Sequence, residues 1–167
     1  TAGVDFGFGI WNSKGGRYVA WDGDITDGHA VPCPKEGCLK VRVHKKGASQ
    51  INKILSSIAV TGGTSATSFA YLASNYLRSK DKPINYNLPC QNTYIINIGD
   101  GDWQDHEDAV LEIRKLYNRK KGKVKTFSVA YGGNISAIGL MQFDEMAMAG
   151  GTNNVIIANS PSSLKSQ

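Results

Sequence analysis

Tyr94-Ile95-Ile96-Asn97-Ile98-Gly99-Asp100-Gly101-Asp102 is the stretch that decides the fold class of this chain. A short, largely apolar run that ends in a glycine-aspartate turn reads as a strand buried on both faces of a parallel sheet. Downstream, Ala109, Val110, Ile113, Leu116 and Tyr117 fall at helical spacing and predict a helix over 105–118. Its acidic start (Asp105, Glu107, Asp108) and basic end (Arg114, Lys115, Arg119) suit the helix dipole. A strand over 124–131 follows and ends at Gly132-Gly133. A helix over 137–148 stops at Gly150-Gly151, and a last short strand covers 154–158. Ser160-Pro161-Ser162-Ser163-Leu164 reads as a helix start cut off after one turn.

Upstream, a polar, proline-containing loop occupies 80–90. A helix over 66–79 carries Phe69, Leu72, Ala73, Tyr76 and Leu77 on one side. Another helix starts near Ser49, a fair N-cap, with Ile51, Ile54, Leu55 and Ile58 at helical spacing. Alternation of strands and helices from Ser49 onward predicts an α/β fold with a mostly parallel sheet. Before it, Val4, Phe6, Phe8 and Ile10 alternate with Asp5, Gly7 and Gly9 as a strand. Residues 12–16 turn the chain, and residues 17–21 read as the return strand of a hairpin. Residues 22–38 form a loop, and Leu39, Val41 and Val43 alternate with Lys40, Arg42 and His44 as a half-exposed strand.

The chain has 167 residues, of which 41% are hydrophobic and 20% charged, which excludes a disordered chain and suits one domain. Nineteen glycines imply many tight turns. A net charge of +5 permits anionic partners without demanding them. No window approaches the ~18 apolar residues of a membrane span. The start at Thr1, with neither a leader nor an initiator methionine, reads as a processed or cut end of something longer.

Cysteines are few: Cys33, Cys38 and Cys90. Cys33 and Cys38 bracket Pro34-Lys35-Glu36-Gly37, where a short disulfide or a pair of thiols are both compatible with the spacing. Zinc is disfavoured, because no second Cys/His pair has ligand spacing. Cys90 is then either buried or paired outside these residues. Ligands of open α/β sheets sit at the carboxyl ends of strands. Two oxygen-rich turns fall at such places: Gly62-Gly63-Thr64-Ser65-Ala66-Thr67, opening a helix, and Gly99-Asp100-Gly101-Asp102-Trp103, closing a strand. Carboxylates and hydroxyls suit a hard cation such as Mg²⁺ or Ca²⁺. Each turn also has a plain reading as a helix cap.

A strand running into Asp100-Gly101, preceded by Gly63-Thr64 before a helix, resembles the von Willebrand factor type A domain. The resemblance implies that Thr64 and Asp100 are ligands of a metal-ion-dependent adhesion site. Cys90-Gln91-Asn92 before the strand, and Ile98-Gly99-Asp100-Gly101-Asp102-Trp103 after it, are similar to the A domain of type IV pilus tip adhesins. The likeness runs over nearly the whole chain, ending in Met146-Ala147-Met148-Ala149-Gly150-Gly151-Thr152. It implies a single A-like domain over 1–167 with an insert at 12–38 that holds a hairpin and the cysteine loop. It also implies a protein of the bacterial cell surface, reached through the periplasm, that binds a protein or surface receptor or other pilus subunits. One departure matters: the family's first strand ends in Asp-x-Ser-x-Ser, which this sequence lacks. Asp5-Phe6-Gly7-Phe8-Gly9 has that spacing with glycines for serines, in a strand that aligns with the family's second. The resemblance therefore implies a domain without its central first strand and with an incomplete metal site.

Other constellations have plainer readings. Asp22, Asp24 and Thr26 mimic a calcium loop, but Asp27 and Cys33 stand where its glycine and glutamate belong, so a solvated acidic loop fits better. His29, His44 and His106 are scattered, and no Ser/His/Asp or Cys/His grouping has catalytic spacing, so no enzyme is expected. Two basic runs remain: Lys40, Arg42, Lys45 and Lys46, and Arg114, Lys115, Arg119, Lys120, Lys121, Lys123 and Lys125. They read as solvated surface, or as a face for DNA or anionic glycans, with little aromatic interleaving for base stacking. The expected function is extracellular adhesion. The alternatives are an assembly domain with a vestigial metal site and a basic-surface binder.

Overall fold

The computed structural model describes residues 3–11, 37–58, 64–79, 83–85, 88, 90–119 and 122–166, with Cys38 by its backbone only. The chain forms two compact units, Thr1–Pro83 and Ile84–Gln167. The expected return strand at 17–21, the acidic loop at 22–28 and the Cys33–Cys38 pair lie outside the described residues or side chains.

In the first unit, β1 (Phe6–Trp11) pairs antiparallel with β2 (Gly37–His44). The alternation expected of β2 is broken at Lys40, which is buried beside Leu39 and Val41, and Arg42 is half-buried. This basic run is therefore not a uniformly solvated face. Helix α1 (Gly47–Ile54) starts before the Ser49 cap expected from sequence. Its first turn is already closed by Gln50 N–H donating to Lys46 O, and the Gln50 side chain meets His44 Nε2 at 2.8 Å. A single 3-10 turn, Leu55–Ser57, follows. In α2 (Ala66–Arg78) the N-cap is Ser65, whose hydroxyl accepts from Ser68 N–H. Phe69, Leu72, Tyr76 and Leu77 of α2 are buried, Phe69 stacks against Trp11, and the Tyr76 hydroxyl accepts from Val43 N–H at 2.9 Å.

The second unit is a mixed α/β layer: β3 (Thr93–Gly99), α3 (His106–Arg119), β4 (Val124–Tyr131), α4 (Ala137–Ala149), β5 (Ile156–Ala158) and α5 (Pro161–Lys165). The strands form one parallel sheet in the order β3-β4-β5. The expected helix stripe holds at Ala109, Ile113 and Leu116, while Val110 and Tyr117 are only half-buried. Parallel neighbours joined by right-handed crossovers put α3 and α4 on the same face of this sheet. That face carries Ile95, Asn97, Thr126, Ser128 and Ala130, with Phe143 and Met146 of α4 fully buried. Gly150 lets the end of α4 come down on β4: a Cβ there would lie 2.8 Å from Thr126 N.

One expectation fails here. β3 is not buried on both faces: among the described residues it is an edge strand of the sheet, and Tyr94, Ile96 and Ile98 are 56%, 61% and 47% exposed. The sequence shows an apolar run, but coverage depends on which strands and helices lie alongside it.

Candidate functional site at the carboxyl end of β3

The parallel sheet presents the turns after β3 and β4 at one end. Gly99 to Trp103 leaves β3, and Gly132 to Ser136 leaves β4 for α4. Trp103 is the anchor of the first turn. It is 4% exposed, and its ring meets Phe143 edge-on with centroids 5.2 Å apart. Gly99 makes room for both rings: a Cβ there would sit 2.8 Å from Trp103 and 3.1 Å from Phe143.

Gln142 of α4 then clamps the backbone. Its Oε1 accepts from Trp103 N–H at 2.7 Å, and its Nε2 donates to Trp103 O at 3.0 Å. The same Nε2 faces His106 Nδ1 at 3.3 Å. An amide nitrogen only donates, so His106 Nδ1 is the acceptor and its Nε2–H is turned to Glu145 Oε2, 3.1 Å away. Both imidazole nitrogens are thus engaged between α3 and α4. This arrangement makes His106 a structural bracket rather than a free base.

Asp102 has a different task from its neighbour. Ser136 Oγ donates to Asp102 Oδ1 at 2.6 Å, and Ser136 Oγ also accepts from Gly139 N–H at 3.0 Å as the N-cap of α4. The carboxylate therefore lies at the positive end of α4, where negative charge is favoured. The sequence reading of Asp102 as a cap charge fits, although the helix it serves is α4. Asp100 is exposed in the same turn.

Thr64 and Asp100 belong to separate units, Thr64 half-buried before the Ser65 cap and Asp100 on the β3 turn. Their oxygens fit Mg²⁺ or Ca²⁺ in kind, but such ions take about 6–8 oxygen ligands. Among the described residues, no group of three or more His, Cys, Asp or Glu side chains is placed to hold a metal ion. Cys90 is exposed, which removes the buried alternative for it.

Of the basic candidates, Arg114, Lys115 and Arg119 are exposed on α3, with Lys115 3.7 Å from Glu112. Lys123 Nζ donates to Leu88 O. Lys120 and Lys121 lie outside the described residues. No helix among the described residues is long and apolar enough to cross a membrane.

Sequence reasoning did not single out Ser136, Gln142 or Glu145. Ser136 had a signal, a serine directly before a helical run. Gln142 had none, because its partners Trp103 and His106 are 39 and 36 residues away. The sequence matches no protein-family model and no curated protein.

Proposed function

We propose that this chain is a non-enzymatic interaction module of von Willebrand A type, displayed outside a bacterial cell on a type IV pilus. In this reading it takes a protein or surface ligand through a divalent cation. The observation that carries it is the division of labour in the β3 turn. Asp102 is committed to Ser136, whereas Asp100 stands exposed at the end of the parallel sheet where ligands bind. The Gln142 clamp and the buried Trp103 hold the turn in place, so Asp100 is presented by a rigid base.

Asp100 would supply a carboxylate oxygen to such an ion. A bound divalent cation would supply the Lewis acidity that attracts an acidic group of the partner. The test uses Mn²⁺ as probe on the protein as its source makes it. Paramagnetic broadening of the Gly99, Asp100 and Gly101 amide resonances is expected in the parent and lost in Asp100→Ala. Equal broadening in both, or none in the parent, removes the metal reading.

A further inference from the structure

A chain of three side chains runs from the surface to the base of the β3 turn. Glu145 is 41% exposed, His106 is 19% exposed, and Gln142 is buried. Glu145 Oε2 lies 3.1 Å from His106 Nε2, and His106 Nδ1 lies 3.3 Å from Gln142 Nε2. The Gln142 amide in turn holds both the N–H and the C=O of Trp103. A proton from solvent therefore reaches the ring, and a change at the ring reaches the turn that carries Asp100 and Asp102.

The amide nitrogen of Gln142 has two hydrogens, one for Trp103 O and one for His106 Nδ1. That count closes only while the ring is neutral. Imidazole takes up its second proton within about pH 5–8, and Nδ1 then becomes a donor as well. Two donors 3.3 Å apart cannot bond each other. Turning the Gln142 amide over would offer its oxygen to Nδ1–H, but it would also set that oxygen against Trp103 O and the nitrogen against Trp103 N–H. The charged ring and the intact clamp thus exclude each other in this packing.

Glu145 decides which of them yields. A carboxylate accepting from Nε2–H grips a positive ring more firmly than a neutral one and holds it in place. The other charges near the ring on α3 and just before it, Asp105, Glu107 and Asp108, are acidic and exposed. On α4 the neighbouring carboxylate, Asp144, is bound to Val155 N–H. β4, which packs on α3, turns Thr126, Ser128 and Ala130 to the helices and carries Lys125 on its opposite face. With the ring held, the Gln142 amide is the part that moves.

We infer that His106 is a pH-sensitive latch: its protonation in mild acid makes Gln142 release Trp103 and loosens the turn between β3 and α3, and loss of the proton locks the turn again. The latch acts on the hold of the turn, whether or not Asp100 takes a cation.

The test follows the full chain, labelled with ¹⁵N, from about pH 8 to 5.5, a range in which carboxylates stay mostly ionised. The His106 ring resonances give its titration. The Trp103 amide reports the clamp, as hydrogen-exchange protection corrected for the intrinsic pH dependence of exchange. Its protection is expected to fall ~10-fold or more, with the midpoint of the His106 ring. A fall of less than ~10-fold, a midpoint more than about half a pH unit from that of His106, or a ring that does not titrate in this range overturns the inference. His106→Gln, which cannot titrate, is expected to abolish the fall, and His44→Gln, in the other unit, to leave it intact. Persistence in the first variant or loss in the second overturns the assignment to His106. Where His106→Gln does not fold, the midpoint in the unmodified chain decides.

Discussion

Replacing Gln142 with alanine tests the clamp that holds the candidate site. The change removes the acceptor of Trp103 N–H and the donor to Trp103 O, at 2.7 and 3.0 Å, beneath a residue that is 4% exposed. Each buried backbone group that loses its partner costs about 1–3 kcal/mol, and admission of water on the Asp100 side lowers the sum to roughly 2–4 kcal/mol. With a urea m-value of about 1 kcal/mol/M for a small unit, the midpoint falls by ~2 M or more. The assay is urea unfolding followed by Trp fluorescence. Gln142→Glu sharpens it. At neutral pH a carboxylate keeps the acceptor for Trp103 N–H but puts an oxygen against Trp103 O and removes the donor to His106 Nδ1. It is therefore also expected to destabilise the unit, although its volume is unchanged. A midpoint shift below about 0.5 M for the alanine variant would refute the clamp, given the cost of stranded buried groups. So would a glutamate variant as stable as the parent, because only lost volume would then matter.

Four further outcomes are expected. Ser136→Ala loses both the α4 cap and the Asp102 bond and lowers stability by about 1–2 kcal/mol in thermal melts; an unchanged melt contradicts the cap. Gly150→Ala forces a Cβ against Thr126 backbone and costs about 1–3 kcal/mol from overpacking, even though its φ of −85° suits any residue. Ser128, fully buried with no partner for its hydroxyl among the described residues, predicts a neutral or stabilising Ser128→Ala within about 1 kcal/mol; a larger loss shows that the hydroxyl is bonded in solution. If the exposed Arg114, Lys115 and Arg119 formed an anion-binding face, heparin retention would fall steeply with salt and with their replacement by glutamine. A flat salt response discards that alternative.

Much of the second unit was legible residue by residue. The strand over 124–131 has those bounds in the structure, and the helix over 137–148 differs by one residue at its end. Glycines at 132 and 150 and a serine at 136 punctuate these elements locally. The Ser49 start failed because a propensity for capping was outweighed by a helix turn already closed from Lys46. At the candidate site, Asp100 and Asp102 were visible as a strand-end pair, and Asp102 was legible as a cap charge, but not the helix it serves. That depends on Ser136, 34 residues further along the chain from Asp102.

By itself the sequence determined what neighbouring residues encode: the 3.6 and 2.0 periods, the caps, the turns, and the alternation that makes an α/β fold. Tertiary structure decided what depends on residues far apart: that Gln142 grips Trp103, that Asp102 caps α4 and leaves Asp100 exposed, and that α3 and α4 share one face of the sheet. The stretch 94–98 shows the division most clearly. Its apolar run specifies a strand wherever it lies, because backbone preference is local. Whether its face is buried is set by strand order and crossover hand, and these leave Tyr94, Ile96 and Ile98 uncovered.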